Sequence, residues 1–187
     1  MQTFFIDFFV QRFGYDYLEA KNLNVIVPIC MITMIPILSG IIIKVGKKGL
    51  FMLASSIIAV ACFHTLESIP SKPSVIVTFC LIGIGLFNSI SNICVISSLM
   101  LVVPEQAVSV AMGLFSTLCN VLMTTMPVLL GKINKPRNAE AYNRSIFLLK
   151  MMGVIALVSS VGVILVDFRT GKRIHLKEND KRVLEAK

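Results

Sequence analysis

Asn88, Ser91 and Asn92 stand at positions i, i+3 and i+4 inside a long apolar run, so a helix presents all three on one face. Ser97 and Ser98 follow further along the same run. In the next apolar run Ser116, Asn120 and Thr124 recur at i, i+4 and i+8, with Thr117 beside them. Amides and hydroxyls at this spacing recognise a partner by hydrogen bonding. In hydrocarbon, an amide must find a partner or line a wet cavity. The stripe is therefore either glue across a packed helix interface or a pathway wall that meets a polar solute. The candidate pathway residues are Asn88, Ser91, Asn92, Asn120 and Thr124, with the interface reading favoured for Asn120.

Covalent chemistry has no such foothold. The sequence holds no recognisable nucleophile–base pair, carboxylate pair or phosphate loop, so no catalytic residue is assigned and an enzyme is not expected. Gly83-Ile84-Gly85 lies in mid-run with no preceding strand, and reads as a packing or flexible point rather than a dinucleotide fingerprint. Cys30, Cys62, Cys80, Cys94 and Cys119 all sit in apolar runs without a C-x-x-C pair, and read as small buried hydrophobes. No metal site and no cofactor are expected. Lys150 is expected to snorkel to the interface. His64 reads as an interfacial residue, and Asp7 lies at uncertain depth. Asn143-Arg144-Ser145 matches a glycosylation acceptor but abuts a helix start.

The elements that carry these residues are five apolar segments: Leu23–Ile43, Leu50–Leu66, Ser74–Val103, Val108–Gly131 and Ser145–Val166. Crossing about 30 Å of hydrocarbon at 1.5 Å per residue takes roughly 20 residues. Four segments reach that length and Leu50–Leu66 comes close, which predicts an all-α integral membrane protein. Charged residues make up 15% of the chain, against about 25% in soluble domains. The net charge of +8 does not indicate a nucleic-acid partner, because the cations flank spans and form no separate basic face. Met1–Val10 is apolar but carries Asp7 and shows no basic leader or cleavage site, so it is not read as a signal peptide.

Successive connections alternate sides. Lys44, Lys47, Lys48, Arg169, Lys172, Arg173, Lys177, Lys181 and Arg182 fall on one side. Arg12, Lys21, Lys72, Lys132, Lys135, Arg137 and Arg144 fall on the other. Nine against seven predicts a cytosolic C-terminus. Met1–Val10 is too short to span and reads as the far end of a helix, which brings the set toward six. Six helices form half of a common transporter architecture, often as two inverted three-helix repeats. Thr33-Met-Ile-Pro36-Ile-Leu38-Ser-Gly40 and Thr124-Thr-Met-Pro127-Val-Leu129-Leu-Gly131 carry Thr, Pro, Leu and Gly at matching offsets. Ser55-Ser56 and Ser159-Ser160 recur in the following helices. Pro36 and Pro127 are expected to bend their helices.

The residues also resemble a family. Phe8-Phe-Val-Gln-Arg-Phe-Gly-Tyr15, Val102-Val-Pro-Glu105 and Ala111-Met-Gly113 with Asn120 are similar to motifs in the C-terminal half of major facilitator superfamily transporters, nearest their lysosomal dipeptide-transporter branch. The resemblance runs from about Phe8 to Val166 and implies half of that fold; the apolar runs and loop cations give it five complete transmembrane helices plus a partial N-terminal one over residues 1–168, then a basic cytosolic tail over 169–187. It implies transport of a small polar solute, dipeptides in the first place, by alternating access. The partners implied are the lipid bilayer, a second six-helix bundle (an N-terminal half or another protomer) and a glycosylated accessory membrane subunit. The location implied is lysosomal or another endomembrane. The gating loop departs from the family's Gly-x-x-x-Asp-x-x-Gly-Lys: Gly40, Lys44, Gly46, Lys47 and Lys48 occupy it, one residue shorter and with Lys44 in place of the acid. The alternative is a non-transporting assembly or sorting subunit that kept the fold. The third full span is expected to line the cavity, and the second and last to face lipid.

Overall fold

The computed structural model describes residues 2–69, 74–134 and 139–169. Six α-helices follow one another: α1 Gln2–Phe13, α2 Tyr17–Val45, α3 Lys48–Ser68, α4 Ser74–Val102, α5 Val108–Ile133 and α6 Ala139–Arg169, with a 3-10 turn at Glu105–Ala107 before α5. No strand occurs among the described residues, and five of the helices are long and apolar enough to cross a membrane. The expected tail lies outside the described residues apart from Arg169.

Helix ends run past the apolar limits because backbone hydrogen bonding does not stop at the hydrocarbon edge. Asp16 is extended and opens α2, where the Glu19 carboxylate reaches back to the Asp16 N–H at 3.4 Å. At the other end Gly46 takes φ +78°, and its N–H closes on the Ile42 carbonyl at 2.9 Å. This left-handed cap suits glycine, and it turns the chain directly into α3.

α4 is the centre of the bundle, with α2 on one side and α3 on another. Its two mid-helix glycines admit cysteines from both neighbours. A Cβ at Gly83 would collide with Cys62 Sγ of α3, and one at Gly85 would come within 2.8 Å of Cys30 Cβ of α2. Further along, Ile42 of α2 packs with Ile90 and Cys94 of α4. The segment 27–30 thus meets 82–85, and 38–42 meets 90–94, so α2 and α4 run parallel.

α3 and α6 form the second framework. Ser56 meets Ser160 and Glu67 meets Lys150, so this pair is antiparallel. Gly153 lets α6 approach Val60 closely. α3 was expected to face lipid, yet it lies between α4 and α6. Its small residues Gly49, Ser55, Ser56 and Ala59 are buried, while Ile57 faces outward. α1 is tied to α6 by Phe8, which tilts against Tyr142 at 6.3 Å, and within α1 Phe8 meets Phe13 edge-on at 5.4 Å.

α5 packs least. Leu130 is its one buried residue, and Leu114, Leu118 and Met123 are more than three-fifths exposed. An inverted repeat would set α5 against α1 as α2 sits against α4. The 12 residues of α1 extend only about 18 Å and offer α5 little surface.

Candidate functional site

The polar stripe of α4 divides in the structure. Asn88 is half-buried, and its Nδ2 donates to the Ile84 carbonyl of its own helix at 3.1 Å, leaving Oδ1 as an acceptor. Ser91 is half-buried beside it, and Asn92 is exposed. Asn92 stands about 27 Å along α4 from Ser74 and about 15 Å from Val102. No hydrogen bond from its amide occurs among the described residues. Ser89, which drew no attention in the sequence, is fully buried and donates to the Gly85 carbonyl at 2.9 Å.

Asn88 also lines a half-open cavity of about 300 Å³ between the helices. Its walls come from α2 (Asn24, Val27, Pro28, Met31), α3 (Phe63), α4 (Ile84, Phe87, Asn88) and α6 (Leu149, Met152, Gly153), and Phe5 of α1 borders it. Asn24 and Pro28 escaped the sequence reading, although a polar residue four positions before a proline in a span was a usable signal. Proline lacks the N–H that would otherwise bond the carbonyl four residues back, so Pro28 releases the Asn24 carbonyl as Pro36 releases that of Ile32.

Asn120 and Thr124 are not brought to the α4 face. They lie with Thr117, Val121 and Thr125 along a shallow groove of α5. The threonines satisfy themselves: Thr117 donates to the Gly113 carbonyl and Thr124 to the Asn120 carbonyl, each at 2.8 Å. The Asn120 amide is exposed and bonds no other helix among the described residues, so any interface it serves lies outside this bundle. Pro36 is exposed and Pro127 half-buried, both within unbroken helices.

The loop expected to gate is split in its exposure. Gly40, Lys44 and Lys47 are exposed, whereas Gly46 and Lys48 are buried. Lys48 Nζ donates to the Ser97 carbonyl at 3.1 Å, placing a cation near the negative C-terminal end of α4. The antiparallel α3–α6 register brings Asp167, only 2% exposed, level with Lys48.

At the opposite end of the bundle, charges tie three helices. Lys150 pairs with Glu67 across α3 and α6 and lies 5.1 Å from the Phe147 ring centroid. Lys150 therefore has a carboxylate partner where the sequence suggested only a snorkelling cation. Arg12 of α1 donates to Asn143 Oδ1 of α6 and to the Glu67 carbonyl at 2.9 Å. Burial lowers the Arg12 pKa from its ordinary value, and the Glu67 charge opposes that shift. Asn143, the glycosylation-like asparagine, thus sits within α6 with its amide oxygen engaged. His64 is exposed, with Nδ1 3.8 Å from Glu67.

The bundle therefore offers amides, hydroxyls and an apolar cavity, and among the described residues no group of three metal-ligating side chains. The sequence matches the family model described as Major Facilitator Superfamily over residues 1–127. No curated protein and no solved structure matches the chain significantly.

Proposed function

The chain belongs to the Major Facilitator Superfamily, and from that membership we propose that it forms half of a secondary transporter that moves a small polar solute by alternating access. The observation that carries the reading is Asn92, an exposed amide deep along α4 with no hydrogen-bond partner among the described residues of its own bundle. An amide at membrane depth is costly unless partnered, so its partner comes from water, solute or a second bundle. The same face holds Ser91 and Asn88, which makes α4 the pathway wall in this proposal. A second six-helix bundle would supply the opposite wall. Dipeptides are the solutes that the sequence resemblance suggests, together with an endomembrane location and a glycosylated accessory subunit, and the loop cations suggest a cytosolic tail. The charged ends of a dipeptide would need partners beyond Asn88, Ser91 and Asn92, which carry no charge.

Uptake of radiolabelled dialanine by the assembled transporter in proteoliposomes tests this reading. Asn92→Leu is expected to cut uptake per molecule while leaving protein abundance nearly unchanged. Lower abundance with intact uptake per molecule would make Asn92 interhelical glue. The rival, a non-transporting subunit, draws on Lys44 standing where the family carries its gating acid. An intact assembly that moves no solute would favour that rival.

A further inference from the structure

The half-open cavity differs in chemistry from the Asn92 face. It is bordered by the rings of Phe5, Phe63 and Phe87 and by the thioethers of Met31 and Met152, and no charged side chain lines it. Asn24 is 9% exposed, and its amide has no hydrogen-bond partner among the described residues. The amide is not sealed in protein: its polar atoms keep accessible surface where the residue lines the cavity, so a polar group entering that space can bond them. Pro28, also on the wall, leaves the Asn24 backbone carbonyl without its helical donor. One end of an otherwise apolar space therefore presents the Asn24 amide, with two donor hydrogens and one acceptor oxygen. Asn88 stands toward the other end: the α2–α4 register sets it roughly 15 Å further along the bundle axis.

We propose that this cavity binds an uncharged, largely apolar small molecule whose one hydrogen-bonding group, an amide or hydroxyl, docks on Asn24. Its volume of about 300 Å³ lies at the lower end of the roughly 300–1,000 Å³ of ligand cavities, so the molecule is small. The aromatic and thioether walls select an aromatic or branched body. A zwitterion finds no counter-charge here and is excluded, because an unpaired ion is disfavoured in so apolar a space. The proposal concerns a ligand of this cavity, distinct from the polar solute of the Asn92 face, and does not rest on the transporter reading.

Benzamide, a neutral aromatic amide, is the probe. Saturable binding of tritiated benzamide to the purified full chain in nanodiscs is expected, with no competition from zwitterionic phenylalanine. Asn24→Leu keeps the side-chain size and removes the unpartnered amide. It should hold or raise the thermal unfolding midpoint while weakening benzamide on the order of tenfold. Asn24→Ala serves as the second variant and should weaken benzamide as well. Wild-type affinity in both variants, equal competition by phenylalanine, or no binding because an apolar helical segment fills the space would each overturn the site. The binding measurement needs no transport, so a failed cavity and a failed transporter reading are told apart.

Discussion

Ser56 Oγ on α3 lies 3.2 Å from Ser160 Oγ on α6, so one serine from each of the two pairs that recur in the sequence meets the other in the fold. The helices are antiparallel at this point, the arrangement that an inverted repeat gives to its equivalent helices. Each hydroxyl also bonds back to its own helix, Ser56 to the Met52 carbonyl at 2.9 Å and Ser160 to the Ala156 carbonyl at 2.8 Å. Two protons thus serve three contacts, and neither oxygen is left stranded if the other is removed.

The coupling between these serines should therefore be small. A double-mutant cycle of Ser56→Ala and Ser160→Ala is expected to give about 0.6 kcal/mol, the average for such contacts in membrane bundles. Replacing both by cysteine should produce a disulfide on mild oxidation, since the contact is close enough for one. A cross-link forming one helical turn away instead would show that the register is wrong.

Gly83→Ala should destabilise the bundle by about 1–3 kcal/mol, because the new methyl enters the space held by Cys62 Sγ. The remedy is specific. Cys62→Ala removes that sulfur and should recover most of the loss, read as the midpoint of unfolding in detergent. Additive losses in the double variant would place the clash elsewhere.

Glu67→Gln should cost more than the paired removal Glu67→Gln with Lys150→Met. The single change leaves the Lys150 ammonium, about one-fifth exposed, without its carboxylate. We expect a loss of about 1–3 kcal/mol for the single variant and less for the pair, measured by the same unfolding assay. Equal losses would mean that the Lys150–Glu67 contact carries no net stabilisation.

A membrane-impermeant amine reagent should distinguish the three loop lysines. Lys44 and Lys47 are exposed, and Lys48 is buried with its ammonium on the Ser97 carbonyl. Mass spectrometry of vesicles with the cytosolic face outward should find the first two labelled and Lys48 protected. Labelling of Lys44 only from the opposite face would reverse the proposed orientation.

Sequence by itself determined the class of this protein. Five apolar runs of spanning length leave a helical membrane bundle as the economical solution, because hydrocarbon cannot satisfy an exposed backbone. The Asn88–Ser91–Asn92 stripe was equally legible, since helical periodicity assigns residues to a face without knowledge of neighbours. Which neighbour each face meets is a long-range matter, and only the tertiary structure decided it. Gly83 and Gly85 read as packing residues, but the cysteines that enter beside them come from two other helices. Lys150 looked like a lone cation until α3 brought Glu67 to it. Asn24 became notable only when five helices came together to line a half-open cavity beside it. Asn120 shows the converse: its periodic stripe matches that of α4, yet α5 packs too little for the stripe to meet a helix of this bundle. A local pattern specifies a surface, whereas partnership depends on the depth and register at which two surfaces come together.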